Sequence, residues 1–596
     1  MRRSTPAAAG FESTRRLAKW LVVGSVIGCV AGLGSIVFYG ALELASDLLL
    51  GRLAGYYPPA TAGEGVTRVA PMVHRWALPV VTALGGLVSG LLVLWLAPEA
   101  EGHGTDEAID AIHRRGGAMR ARAIPVKLVA SALTIGSGGS AGREGPAAQI
   151  SAGFGALLGR WFLRDAQDRR IAVAAGTGAG IGAIFRAPLG GALLAAEILY
   201  LHDMEVEAII PSLIASIVGY TIYGAWFGYT PIFGAHPSLE LGPPIQLAYY
   251  AVLGLLSGAG GLLYARAFYG ITARFKQLRF PAWARPALGG LAVGVIGLAL
   301  PEVIHTGYGW VQLAMTRDGV LAMSPLVLVL IPLGKIVATS LSIGSGGSGG
   351  IFGPGMVVGG MLGAVLWRAG YGLLPGLPAD PAPFVIIGMM ALFGSIAHAP
   401  LAVMLMVAEM TGSLSLLAPA MIAVAVATAV VGDRTIYEAQ LRDRGASLYH
   451  RLKLSYPMLA VVAVREAIER APAIREDVTA RAALERLAAS DATAAVLVDG
   501  GGRATGAVTR EALERALLHD PASLATEAAA RLVISADETL ESAMLAQSRA
   551  TAHVAAVVDG DAALGIVTSR GILATYRHAI VARGATAQKA QIAASA

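Results

Sequence analysis

Apolar runs of one particular length recur along this chain, and that length admits few folds. "WLVVGSVIGCVAGLGSIVFYGA" (20–41), "ALPVVTALGGLVSGLLVLWLA" (77–97) and "AYYAVLGLLSGAGGLLYA" (248–265) are three of them. Each is close to the ~20 residues a helix needs to cross a bilayer core. No water reaches that depth, so every backbone amide needs a partner inside the protein, which makes helices the default. Only 14% of the 596 residues are charged and 55% are hydrophobic, against roughly 25% charged in a soluble domain. The chain therefore reads as a polytopic α-helical membrane protein.

Arg2, Arg3, Arg15, Arg16 and Lys19 precede the first run, which predicts a cytoplasmic N-terminus. The run is longer than the h-region of a signal peptide and further spans follow, so it is read as a retained helix. Cys29 is the sole cysteine, which excludes disulfides within the chain and multi-cysteine metal sites. A net charge of +6 fits basic loops and tails facing anionic lipid and does not suggest a nucleic-acid domain. No metal spacing or nucleophile–base constellation supports an enzyme, and no cofactor is expected.

Hydrophobicity is dense from about residue 20 to 432 and then falls away. The reading is a cytoplasmic segment over 1–19, a membrane domain over 20–445 and a linker over 446–463. A soluble α/β region over 464–580 and a tail over 581–596 follow. The soluble region repeats itself: "AAVLVDGGGRATGAVTREALERAL" (494–517) matches "VAAVVDGDAALGIVTSRGILATY" (554–576), with Thr509 and Thr568 in equivalent places. Each copy has a strand, a D-G turn, a second strand and a helix. This resembles a tandem pair of CBS domains. In that family an aspartate three residues after the threonine commonly binds adenosine ribose. Ala512 and Gly571 stand there instead, which argues against an adenine nucleotide and for a structural or dimer-bracing role.

The membrane domain is duplicated as well, in halves of about 20–240 and 245–445. "KLVASALTIGSGGSAGREGP" starts at Lys127 and "KIVATSLSIGSGGSGGIFGP" at Lys335. Ala187-Pro188-Leu189 with Glu197 then returns as Ala399-Pro400-Leu401 with Glu409. Duplicated halves of transporters often insert with opposite topology, with the substrate held between them near the midplane. Non-helical backbone at that depth must be buried in protein or line a wet cavity. Glycine lets such backbone approach a bound species closely, and a helix starting after the loop offers free N–H groups and partial positive charge to an anion. Tight helix packing explains most other glycines of the chain, but it requires neither the Arg143-Glu144 pair nor a matched proline. A phosphate loop would need a G-K-[ST] ending, which is missing.

"GREGP" (142–146), "GGIFGP" (349–354) and "TIYEAQL" (435–441) together resemble the signature sequences of the CLC family of chloride channels and proton-coupled chloride transporters. The resemblance implies a homodimer with one anion pathway per subunit, built from inverted halves of tilted and broken helices. It makes Glu144 the gating glutamate, a tethered carboxylate that competes with the anion and is removed by protonation. Ile351 and Phe352 match positions whose amides contact the central anion, and Tyr437 matches a tyrosine whose hydroxyl donates to it. His103, in "GHGTDEAIDAIH" (102–113), stands where a serine often donates to chloride. The implied anion-binding set is His103, Gly104, Arg143, Glu144, Gly145, Gly350, Ile351, Phe352 and Tyr437.

Proton-coupled members generally carry a second acid directly after the one matched by Glu197, and Ile198 occupies that place. Glu197 and Glu144 remain the candidates for a proton path. The expected function is chloride transport that is channel-like or weakly proton-coupled. A chloride/proton antiporter with another inner proton route is the alternative, and a ligand-sensing CBS module on a membrane anchor is a reading of another class. The departure at His103 leaves selectivity among chloride, nitrate and other small anions open, and the fluoride-exporting branch is a minor variant. The expected location is a prokaryotic inner membrane, with both termini cytoplasmic.

Overall fold

The computed structural model describes residues 6–65, 71–163, 165–234, 242–447, 459–490 and 492–579. It divides into two compact units, Met1–Ser447 and Leu448–Ala596. Most of the expected linker and the tail 581–596 lie outside the described residues.

The first unit is helical. Among the described residues, seven helices are long and apolar enough to cross a membrane. The first starts at Pro6 and runs to Ser46, then continues to Leu53 as a π-helical turn. It thus takes in much of the expected separate N-terminal segment, because Ala7–Ala9 and Leu17–Lys19 favour helix and no proline interrupts them. Large apolar side chains such as Leu33, Val37, Leu84, Leu263 and Leu333 are exposed on these helices. That exterior suits lipid, where no polar coat is needed.

The duplication extends to the order of the helices. The first half runs Pro6–Ser46, Ala77–Leu96, Thr105–His113, Ala123–Gly136, Glu144–Phe162, Ala166–Ile184, Pro188–Glu197 and Val206–Phe227. The second runs Gln246–Gln277, Arg285–Ala299, Tyr308–Ala314, Pro325–Gly344, Phe352–Gly370, Ala382–Ile396, Pro400–Thr411 and Leu417–Val431, with one added short helix at Arg317–Ala322. Contacts across the halves come in exchanged pairs, as a two-fold axis requires. Gly142 N–H donates to the Gly350 carbonyl at 2.7 Å, and Gly350 N–H returns a bond to the Gly142 carbonyl at 2.7 Å. Ser131 Oγ lies 2.9 Å from Ser348 Oγ, and Ser140 Oγ lies 2.9 Å from Thr339 Oγ1.

Buried charges obey the same symmetry. Lys127 Nζ donates to the Ala100 and Gly102 carbonyls at 3.1 and 2.7 Å; Lys335 Nζ donates to those of Val303 and His305 at 3.1 and 2.7 Å. Ala187 and Ala399, the N-caps of Pro188–Glu197 and Pro400–Thr411, have no side chain able to cap. Each half lends the other a carboxylate for that task. Glu409 accepts from Leu189 and Gly190 N–H at 3.1 and 2.8 Å, and Glu197 accepts from Leu401 and Ala402 N–H at 3.3 and 2.7 Å. Acidic groups are stabilised at helix N-termini by the unpaired N–H groups and the dipole.

The second unit holds two copies of one motif. Ala473–Arg475 pairs parallel with Ala494–Val498, which pairs antiparallel with Ala504–Thr509; Val533–Ser535, Val554–Asp559 and Ala562–Thr568 repeat this order. Helices Ala480–Ala489 and Leu540–Arg549 connect the first two strands of each copy. Ala494, Val496, Ala507, Val554, Ala556 and Ile566 join the two sheets in one apolar cluster.

Replacing Glu409 by alanine leaves the Leu189 and Gly190 amides without their acceptor. The expected loss is roughly 1–3 kcal/mol of stability, read as a lowered midpoint of thermal unfolding in detergent, with no such loss for Glu409→Gln if the amide oxygen keeps one bond.

Candidate functional site

The broken helices resume beside the two-fold axis. Arg143 is the N-cap of Glu144–Phe162 and Ile351 is the N-cap of Phe352–Gly370, both without side-chain caps. Gly104, at φ 83°, is the N-cap of Thr105–His113, a left-handed conformation that favours glycine. Backbone bridges Gly102–Ser348 and Gly142–Gly350 tie these three helix starts together. A Cβ on Gly145 would run into the His103 carbonyl and approach Gly350 Cα to 3.0 Å. Three sets of amides without intrahelical acceptors thus converge.

Glu144 is 2% exposed, and its carboxylate reaches across to the other half. Gly353 N–H donates to Oε1, and Tyr308 Oη lies 3.5 Å from Oε2. A carboxylate oxygen therefore occupies the place that an anion would take at the start of Phe352–Gly370. The surrounding glycines make this possible: a Cβ on Gly142 would collide with the carboxylate, and one on Gly350 would come within 2.6 Å of Oε1.

Arg143 forms no ion pair with its neighbour Glu144. Its guanidinium pairs with Glu64 at 2.5 Å and lies 5.0 and 5.6 Å from the ring centres of Tyr39 and Tyr308. Of the expected anion set, Arg143 contributes backbone here, while its side chain holds the segment around Glu64. Tyr264 Oη donates to the Ile351 carbonyl at 2.9 Å, fixing the peptide before Phe352.

His103 and Tyr437 meet, with ring centres 5.4 Å apart. Phe393 lies 6.3 Å from Tyr437 and 4.0 Å from Phe352, linking the rings to the helix start. His103 Nε2 is 3.2 Å from Asp106 Oδ2. His103 Nδ1 and Tyr437 Oη are buried with no hydrogen-bond partner among the described residues. Both atoms can form a hydrogen bond with a further group, Nδ1 as donor or acceptor and Oη as either.

Glu197 stands elsewhere, with both oxygens on the Leu401 and Ala402 amides. Ile198 is 1% exposed, and its carbonyl accepts from Gln440 Nε2 at 2.8 Å. Sequence reasoning did not single out Gly353, Tyr308, Glu64 or Phe393, and it read Asp106 only as part of a helix start with Thr105 and Glu107. Extending the repeat from Gly104-Thr105 to Gly307-Tyr308 would have indicated Tyr308, since both glycines precede short helices at the same φ. Glu64, in an irregular segment, carried no comparable signal.

Two halves exchanged about an axis, with helix starts converging on a buried carboxylate, define a membrane protein of the ion-transporting class. Residues 85–432 match the voltage gated chloride channel family, and the chain belongs to that family. A ClcB-like protein of Ralstonia nicotianae is 32% identical over 408 residues, covering 68% of this chain and 91% of its own. The H(+)/Cl(-) exchange transporter ClcA of Citrobacter koseri is 29% identical, covering 71% and 88%. Among solved structures, a slow cyanobacterial Cl-/H+ antiporter shares the fold at a TM-score of 0.61 and 25% identity, covering 70% of this chain and 96% of its own. A eukaryotic CLC transporter, at 18% identity and a TM-score of 0.56, shares the fold over 93% of this chain and 98% of its own.

Gly142→Ala is expected to expel the Glu144 carboxylate from its seat on Gly353 N–H. A structure of that variant with the carboxylate still in place would contradict the packing described here.

Proposed function

We propose that this chain moves chloride across the membrane through the converging helix starts, with Glu144 as the gate. The observation that carries this reading is the Glu144 carboxylate on the Gly353 amide, an anion of one half seated at a helix start of the other. A free chloride would compete for the same amides, and protonation of Glu144 would release them. Partial charges suit such a path, because conduction needs binding that is favourable yet weak enough to reverse. The two buried lysines do not upset that balance, since Lys127 and Lys335 are committed to carbonyls.

Transport is channel-like or weakly proton-coupled in this reading. Ile198 supplies no carboxylate where the resemblance calls for the inner acid, and Glu197 is engaged as a helix cap. Family membership does not choose, because relatives are named both as channel proteins and as exchange transporters. The C-terminal repeat is assigned as a CBS pair with a bracing role. Ala512 and Gly571 stand at the ribose positions, and Glu469, pressed against Gly571, accepts from Thr568 Oγ1 at 2.5 Å.

Paired chloride and proton fluxes on protein reconstituted in liposomes test the reading. Chloride flux is expected with little or no uphill proton movement, and Glu144→Gln is expected to keep chloride flux while losing the part of its pH dependence that protonation of the gate supplies. Strong uphill proton transport would overturn the weak-coupling assignment; unchanged pH dependence in Glu144→Gln would overturn the gate.

A further inference from the structure

We infer that His103 makes anion binding beside Tyr437 proton-linked, its imidazole holding Asp106 by one nitrogen and, when protonated, donating the other N–H to the anion. This rests on the chloride pathway proposed above and adds a second proton site to it. A carboxylate only accepts, so the approach of Nε2 to Asp106 Oδ2 at 3.2 Å favours the ring form that carries its hydrogen on Nε2. A neutral ring in that tautomer presents a bare lone pair at Nδ1, which repels an anion. Protonation converts Nδ1 into a donor on a ring whose centre is 5.4 Å from that of Tyr437, where Oη is likewise buried without a hydrogen-bond partner among the described residues. A serine hydroxyl in this place would donate at any pH, whereas an imidazole nitrogen donates only while it carries a proton.

The surroundings support the exchange. Asp106 is held in place by Ala439 N–H at 3.1 Å and is 26% exposed, so the pair reaches solvent through its carboxylate. Among the described residues, three titratable groups of the neighbouring elements are engaged with backbone. Lys127 donates to the Ala100 and Gly102 carbonyls, Tyr269 donates to the Ile436 carbonyl at 2.7 Å, and Glu144 accepts from Gly353. Phe268, 6.1 Å from the His103 ring centre, closes one flank without charge. Asp106 is therefore the counter-charge that an imidazolium meets directly.

Calorimetry of chloride binding to the purified full chain in detergent tests this, with Glu144→Gln as background so that the gate takes up no proton. Titrations between about pH 6 and 8, in buffers of different ionisation enthalpy, report protons bound per chloride. A fraction of one proton per chloride is expected, with affinity weakening about three- to tenfold per pH unit on the alkaline side. Adding His103→Ser, or separately His103→Asn, is expected to abolish the uptake. Chloride heats that do not depend on buffer in the Glu144→Gln protein would overturn the inference without needing a second variant. Uptake that survives both His103 substitutions would overturn it as well. Absence of any chloride binding would instead overturn the chloride pathway, and this inference with it.

Discussion

The mutual hydrogen bonds between Gly142 and Gly350 permit two helices to break at membrane depth. Breaking a helix there strips backbone groups of their partners, and no water is available to replace them. Each interrupted segment finds its replacement in the other half: Gly142 and Gly350 exchange both bonds at 2.7 Å, and Ser140 N–H donates to Ser342 Oγ at 2.8 Å. Gly102 extends the same junction by donating to Gly347 and accepting from Gly349. Once these loops are closed against each other, the amides left over are those at the helix starts. The site is what the junction leaves unsatisfied.

Charge is handled by the same exchange. An ionised group buried without partners is expensive, yet Lys127, Lys335, Glu197 and Glu409 are all placed in the membrane unit. The lysines gather carbonyls of the segments that lead into Thr105–His113 and Tyr308–Ala314. The glutamates cap helices in the opposite half, where alanine occupies the N-cap. The glutamates bind the halves together, and the lysines, each within its own half, hold the segments before the short helices that bring Tyr308 to the Glu144 carboxylate and place His103 against Tyr437. Removing such a group would therefore act on the site through helix position and not through contact with an ion.

Much of this was legible in the sequence, for physical reasons that differ by residue. The Lys127 and Lys335 segments repeat so closely that the duplication, the two glycine loops and the Glu144/Phe352 pair of positions could be read directly. Apolar run length likewise indicated the spanning helices. Partners distant along the chain were not legible. Tyr308 reaches Glu144 across 164 positions, and Glu64 takes Arg143 from an irregular segment with no periodicity to mark it. The residue types at Glu197 and Glu409 suggested structural roles, but only the folded chain shows that each caps the other half. The sequence also favoured treating the start of the chain as separate from the first span, whereas one helix covers both, because good helix formers run without a stop into the apolar stretch.

The departures from symmetry fall at the helix starts. Counting from the paired lysines, Glu144 corresponds to Phe352 and Arg143 to Ile351. Two identical halves would offer either two competing carboxylates or two empty helix starts at the axis. Like charges placed so close would repel, and one would be driven to neutrality. With Glu144 in one half and Phe352 in the other, a single carboxylate meets a single free helix start. The second departure has the same logic. Tyr308 opens its short helix beside the carboxylate, while the equivalent helix opens at Thr105, next to the His103 and Tyr437 rings. The duplicated scaffold thus carries unlike groups at equivalent helix starts, a buried carboxylate beside one and an imidazole–carboxylate pair beside the other.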